Sequence, residues 1–372
     1  MRIEGDFIKI NEWLTPLSWL YGLGVAIRNA LFDLHILKSH SYNIPIINIG
    51  NITVGGTGKT PHTEYLLRLL SQSYKVAVLS RGYKRKTRGY ILAKADSTVE
   101  EIGDEPWQMK QKFPQAYVAV DHNRRRGIQR LCTDEATRDV DVILLDDAYQ
   151  HRYVHPGVNI LLVDYHRMIT DDRLLPAGRL REPKDSKHRA NIVIVTKCPH
   201  DIKPMGFRVV QKALNLMPYQ RLYFSTFRYG QLRQLFGKAE RSLSAISRNE
   251  SVLLLTGIAL PEQMKLDLSR HTKNITPMSF PDHHYYKQAD ISRINQTFAH
   301  LPEPRMIITT EKDVPRLLLT SGLSEEVRQS MYVLPTEVEI MRNEKENFND
   351  KITGYVLKNS RNSILAKGEN NL

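Results

Sequence analysis

One segment narrows what this chain can become more than any other: Asn51-Ile52-Thr53-Val54-Gly55-Gly56-Thr57-Gly58-Lys59-Thr60-Pro61. Before it runs Ile44 to Gly50 (IPIINIG), an isoleucine-rich apolar stretch that reads as a buried strand. After it, Tyr65, Leu66, Leu69 and Leu70 recur at helical spacing. Strand, glycine loop, Gly-Lys-Thr and helix make the context a phosphate-binding loop requires. Glycines let backbone N–H groups curl around phosphate oxygens, and the helix N-terminus adds its positive end. Thr53, Val54, Gly55, Gly56, Thr57, Gly58, Lys59 and Thr60 are therefore the candidate nucleotide-binding residues. Lys59 would reach the β- and γ-phosphates, and Thr60 would ligate Mg²⁺. The strict pattern has glycine where this chain has Thr53. ATP and GTP both fit the loop at this stage.

A nucleotide site of this kind needs a carboxylate at a strand end for the metal or its waters. Val140 to Leu145 (VDVILL) is a third apolar run, after Lys75 to Ser80, and it ends in Asp146-Asp147. Gly103-Asp104-Glu105-Pro106 is a second acidic pair. It suits a helix start, and its place in the chain keeps a general-base role open. Leu174 to Pro183 (LLPAGRLREP) carries Arg179, Arg181 and Glu182, which could reach phosphate and metal or form a surface loop. Thr196-Lys197-Cys198-Pro199 resembles the turn that reads guanine in some GTPases, but Pro199 stands where the reading aspartate would be.

Strands alternate with helical stretches to about residue 230, which predicts an α/β fold, a doubly wound parallel sheet of the P-loop NTPase kind. A polar stretch, Lys238 to Glu250, reads as a hinge. Val252 to Thr256 and Met306 to Thr310 then start a second, smaller α/β unit. The expected division is an N-terminal helix region over 1–40, a P-loop domain over 41–245 and a smaller α/β domain over 246–372. The tail should hold a last strand or helix near Ile352 to Leu357.

In the N-terminal region Leu20, Leu23, Ile27, Leu31 and Leu34 share one helical face, flanked by Trp13, Trp19, Tyr21 and Phe32. Such an amphipathic helix either lies in a membrane interface or packs on the protein's own core. No apolar run is long enough to span a bilayer. Cys132 and Cys198 are too few for a disulfide framework and suit a reducing cytoplasm. With 41% hydrophobic and 25% charged residues, a disordered or fibrous chain is excluded. The 53 basic and 40 acidic residues leave a net charge of +13, which asks for an anionic partner. Nucleic acid is disfavoured because no platform of stacking aromatics among basic residues is evident, and charge alone leaves the acid pairs unexplained.

Taken in order, the strings are more specific than any one of them. Gly50 to Pro61, Ser80-Arg81-Gly82-Tyr83, Gly103 to Pro106, Asp146-Asp147-Ala148-Tyr149-Gln150-His151 and Leu174 to Pro183 are followed by Thr-Lys-Cys-Pro (196–199), Thr-Gly-Ile-Ala (256–259), Asp-His-His (282–284) and Thr-Glu-Lys-Asp (310–313). The chain closely resembles the tetraacyldisaccharide 4'-kinase family over roughly residues 10 to 315. That family has threonine at the place of Thr53. Ala148-Tyr149 stands where Gly-Phe is commoner.

The resemblance implies ATP-dependent phosphorylation of the 4'-hydroxyl of a tetraacylated glucosamine disaccharide 1-phosphate, the lipid A precursor. It implies ATP with Mg²⁺, and a peripheral protein at the cytoplasmic face of the inner membrane of a Gram-negative bacterium. An anionic membrane surface is then a partner, nucleic acid is not, and no obligate protein partner is evident. Asp104 maps onto the family's base for the sugar hydroxyl. The partner histidine maps onto His283, with His284 beside it as the alternative. Lys59 and Asp147 join Asp104 and His283 as catalytic candidates, and Thr60, Asp146 and Glu182 are the metal candidates. Arg81, Arg124 and Arg179 are the candidate contacts to the anionic substrate.

Overall fold

The computed structural model describes residues 10–257, 262–281 and 284–360. The described residues up to Phe227 and from Val338 onward form one unit, and Arg228–Glu337 forms a second. Strands of the first unit are β1 (Ile46–Gly50), β2 (Val76–Ser80), β3 (Ile91–Leu92), β4 (Tyr117–Val120), β5 (Val142–Asp146), β6 (Val158–Asp164), β7 (Ile192–Thr196) and β8 (Arg221–Tyr229). β1, β2, β5, β6 and β7 are buried along their whole length. That is why they read as unbroken apolar runs: parallel strands are covered on both faces.

The second unit holds β9 (Leu232–Gln234), β10 (Glu240–Arg241), β11 (Ser251–Thr256), β12 (Ile275–Ser279), β13 (Arg305–Thr310) and β14 (Met331–Leu334). The chain then returns through β15 (Thr336–Ile340), which lies beside β8. The large sheet runs β15-β8-β7-β6-β1-β5-β2-β4-β3. β1 pairs in parallel with both β5 and β6, so the winding reverses at β1. Ligands in such sheets bind outside the carboxyl ends of the strands at this reversal. The register brings Gly50, Ser80, Asp146, Asp164 and Thr196 to that same rim.

Helices α1 (Thr15–Asp33), α2 (Lys59–Leu70), α3 (Val99–Ile102), α4 (Asp104–Lys112), α5 (Arg124–Thr133) and α6 (Pro204–Leu214) belong to the first unit. The second contains α7 (Glu262–Leu268), α8 (Gln288–Ala299), α9 (Val314–Leu317) and α10 (Glu325–Gln329) around a core of Leu253, Leu255, Ile294, Phe298 and Ile307. The last helix, α11 (Lys345–Asn359), packs Phe348, Ile352 and Val356 into the first unit's core beside Ile47, Leu67 and Ile160.

Two expectations are corrected here. The 246–372 domain is not one piece, because α11 carries an apolar face at four-residue spacing that is buried in the first unit. Nor is Lys238 to Glu250 a hinge. β9 and β10 already belong to the second sheet, and Arg241 grips Glu250 through both guanidinium nitrogens at 2.6 Å each. The boundary therefore falls at 227/228 instead of 245/246.

Helix α1 resolves its own ambiguity by being inverted. Trp19, Leu20, Leu23 and Ile27 are 72, 68, 59 and 54% exposed, and Trp13, just before the helix, is 93% exposed. What docks is the opposite, polar side. Ser18 Oγ donates to Leu174 O at 3.0 Å, Tyr21 OH to Arg181 O at 2.8 Å, and Arg28 Nη2 to Gln150 O at 2.8 Å. Phe32 is buried against Tyr153, with the Arg28 and Arg152 guanidiniums over its ring. No described helix is long and apolar enough to cross a membrane.

Candidate active site

The phosphate loop leaves β1 and is held along one flank by the Leu174–Pro183 strip. Val54 N donates to Arg179 O at 2.8 Å, and Arg181 N to Ile52 O at 2.7 Å. Thr53 and Leu180 form an antiparallel bridge. Gln150 Nε2 donates to Asn51 O at 2.6 Å, and Asn51 Nδ2 to Thr57 Oγ1 at 2.8 Å. Gly58, at φ +84°, ends the loop in the left-handed region, where a side chain would be strained. Lys59 then opens α2, with Pro61 in its first turn.

Behind the loop sits an inner layer that the sequence did not advertise. His62 Nδ1 is 2.7 Å from Gly58 O and Nε2 is 2.9 Å from Ser225 Oγ. Burial lowers the His62 pKa to about 4, so the ring is neutral and donates from Nδ1 to the carbonyl. Thr196 Oγ1 donates to Thr57 O at 2.9 Å. Lys197 Nζ donates to Gly56 O and to Asp164 Oδ2, the latter at 2.7 Å.

The two acids at the end of β5 behave oppositely. Asp146 is 1% exposed and accepts from Thr63 Oγ1 at 3.3 Å and Ser80 Oγ at 3.2 Å. Burial, then the neighbouring charges of Glu105 and Asp147, raise its pKa to about 7. Asp147, at φ +48°, turns toward cations. Lys59 Nζ lies 3.6 Å from its Oδ1 and Arg181 Nη1 3.5 Å from its Oδ2. Burial opposes its ionisation, but Lys59, Arg181 and Arg124 outweigh that and lower its pKa. Glu182 is 1% exposed; one oxygen is paired with Arg189, and Oε1 has no hydrogen-bond partner.

Asp104 is buried at the head of α4, after Gly103 at φ +89°. A Cβ at Gly103 would lie 2.9 Å from Tyr83 O, and one at Gly82 2.9 Å from Ile102 O. The Ser-Arg-Gly-Tyr and Gly-Asp-Glu-Pro segments thus lie backbone to backbone, and glycine is what allows it. α4 is clamped to α2, because Glu64 accepts from Gln108 Nε2 at 2.7 Å and Lys112 Nζ at 2.6 Å.

The three expected arginines differ in placement. Arg81 is exposed, with Nε 3.0 Å from His122 Nδ1. Arg179 is exposed, and its backbone is what touches the loop. Arg124 is a correction. It is 2% exposed and gives its guanidinium to Asp121 O at 2.9 Å and Asp146 O at 3.2 Å, so it braces the strand end. Burial lowers its pKa to about 10. His151 is lowered to about 4, first by burial and then by Arg124, Arg28, His122 and Arg81, a pocket of positive potential. His283 lies outside the described residues. Its neighbour His284 is bonded to Asp290 at 2.8 Å and stacked on Phe280.

Among the described residues no three acids, histidines or cysteines converge as a ready metal cage. Mg²⁺ takes one or two carboxylates and completes its shell with phosphate and water oxygens. Asp147 Oδ1 and Glu182 Oε1, buried without hydrogen-bond donors, and the Thr60 hydroxyl in the first turn of α2 are suitable ligands. Glu105, His62, Thr63, Ser80, Thr196 and Lys197 are the site residues that sequence reasoning missed. Ser80, Glu105, Thr196 and Lys197 carried a signal as members of the quoted motifs, whereas His62 and Thr63 carried none.

The profile of the family described as tetraacyldisaccharide-1-P 4'-kinase matches residues 10–356. A tetraacyldisaccharide 4'-kinase of Phocaeicola vulgatus is 55% identical over 366 residues, covering 98% of this chain and all of its own length. One from Bacteroides fragilis is 55% identical over 370 residues, covering 98% of each. Among solved structures, LpxK from Aquifex aeolicus in complex with ATP superposes with a TM-score of 0.70 at 28% identity, covering 92% of this chain and 98% of that one.

Proposed function

The chain belongs to the tetraacyldisaccharide 4'-kinase family, an ATP-dependent kinase of lipid A biosynthesis, and from that premise we propose how its residues divide the work. Residues 53–60 cradle the ATP phosphates. Lys59 neutralises charge on the β- and γ-phosphates and is itself held in line by Asp147. Asp104 accepts the proton of the sugar 4'-hydroxyl, with His283 as its partner; a positioned base of this kind contributes roughly 10²–10⁴-fold. Thr60, Asp146, Asp147 and Glu182 would hold Mg²⁺, directly or through water. When bound, the ion adds charge neutralisation on the transferring phosphoryl group. Asp146, whose pKa stands near 7, is only partly ionised at neutral pH, and a bound cation would favour its carboxylate form.

The acceptor is a lipid, and α1 supports that reading. Its exposed Trp19, Leu20, Leu23 and Ile27 form an apolar face suited to the headgroup boundary of a membrane. Arg28 on the same helix faces the positive pocket around His151 with Arg81, where the acceptor's 1-phosphate is bound. The protein then works as a peripheral enzyme on the cytoplasmic face of the inner membrane.

The observation that carries this division is the meeting of Lys59 with the Asp146-Asp147 pair at the winding reversal of the sheet, where Glu105 at the head of α4 adds its field. The test is to supply tetraacyldisaccharide 1-phosphate in mixed micelles with Mg-ATP and look for 4'-phosphorylated product. A purified enzyme that hydrolyses ATP yet leaves this acceptor unmodified would refute the reading.

A further inference from the structure

Three consecutive carbonyls of the phosphate loop are each tied from behind by a different side chain. Lys197 holds Gly56 O, Thr196 holds Thr57 O and His62 holds Gly58 O. In a trans peptide the N–H points opposite the C=O of the same plane. Fixing these carbonyls on the outer side therefore fixes the N–H groups of Thr57, Gly58 and Lys59 on the inner side. Among the described residues no backbone carbonyl accepts from Thr57 N or Gly58 N. The loop is thus held with the N–H groups of Thr57 and Gly58 turned away from the tethered carbonyls.

Of the three tethers Lys197 is the unusual one. Its backbone is left-handed, at φ +58°, which swings the chain back at the end of β7. Its ammonium is placed between Gly56 O and the Asp164 carboxylate, which is 4% exposed at the end of β6. A lysine anchored to a buried acid is a fixed point, and it grips the loop's glycine-rich portion, where the backbone is least restrained by itself.

We propose that Lys197, anchored by Asp164, is a positioning residue that sets the inward orientation of the phosphate-loop N–H groups and so determines affinity for the triphosphate, without touching the acceptor. The proposal rests on the reading of residues 53–60 as the phosphate cradle.

Removing Lys197 alone would strand Asp164 as an unpaired acid near the phosphates, which by itself repels them. The informative variant is therefore Lys197→Met with Asp164→Asn. Binding of ATP and of tripolyphosphate is measured calorimetrically on the full-length enzyme, together with KM for ATP and for the lipid acceptor. Loss of a charge-assisted bond should weaken ATP and tripolyphosphate about tenfold to a hundredfold. KM for the acceptor should stay within about twofold, and Lys197→Arg should restore most of the affinity. Affinities of the double variant within twofold of the native enzyme overturn the proposal. So does a parallel rise of both KM values, because that is general damage instead of loop orientation. If the double variant does not fold, Lys197→Leu with Asp164→Asn carries the same test, with the same expected and overturning results. Lys59→Ala is the control for the underlying reading. If it binds tripolyphosphate normally, residues 53–60 are not the cradle.

Discussion

Asp146→Asn should make the ligand-free enzyme more stable and nearly inactive. The acid is 1% exposed, and its pKa is raised from 3.8 to about 7, chiefly by burial and then by Glu105 and Asp147. A group that binds its proton more tightly in the folded state lowers stability as pH rises. The native enzyme should therefore lose stability progressively between about pH 4 and pH 7, and no further above that. At about 1.4 kcal/mol per tenfold change in proton affinity, the ceiling of the penalty is on the order of 4 kcal/mol. Relaxation of the free protein reduces this, and a gain of about 2 kcal/mol for Asn is expected at pH 8. Asn keeps both hydroxyl neighbours, Thr63 and Ser80, as hydrogen-bond partners. Thermal denaturation without Mg²⁺ or nucleotide, at pH 5.5 and pH 8.5, reads the effect. The Tm gain should be several degrees at the higher pH and clearly smaller at the lower. A variant with unchanged or lower Tm at pH 8.5 would refute the account of Asp146 as a strained, desolvated acid. Turnover in the same preparation should fall at least a hundredfold.

Asp104→Asn should lower kcat by roughly 10²–10⁴-fold with ATP binding retained, measured by product formation beside calorimetry. Lys59→Ala should raise KM for ATP and lower kcat together, because Lys59 both binds phosphate and steadies Asp147. Replacing Leu20 and Leu23 with Glu should cut recovery on anionic vesicles in a flotation assay at unchanged Tm, since both side chains are already exposed. Ile352→Ala should cost about 2–5 kcal/mol and lower the unfolding transition of the first unit, because Ile352 is fully buried there.

The parts of the fold set by local pattern could be read directly. β1, β5, β6 and β7 are apolar runs because both faces of a parallel sheet are covered, and the turn from β1 into α2 is marked by glycine, lysine and threonine in a row. What could not be read depends on pairs far apart in the chain. Thr196 and Lys197 lie about 140 residues from the carbonyls they hold. Arg124 was a candidate contact to the anionic substrate, yet its guanidinium is directed to the backbone carbonyls of Asp121 and Asp146. The periodicity of α1 marked an apolar face correctly but not which way that face would point. Helix α11 carried a face that fits a core, and no local feature told which of the two units supplied it.

That last helix has a consequence for how the protein is made. Tyr355 OH meets the backbone of Ile46, 309 residues earlier, at 3.2 Å from its nitrogen. The second unit is in effect an insertion, begun and finished while the first still lacks its closing helix. During synthesis it can fold as soon as it emerges, whereas the first unit has to wait until α11 has been made. Contacts of such long sequence separation are also slow to form. Truncation of even the last two turns of α11 should therefore leave a chain with a sound inserted unit and an open kinase core, an aggregation-prone product instead of a slightly weakened enzyme.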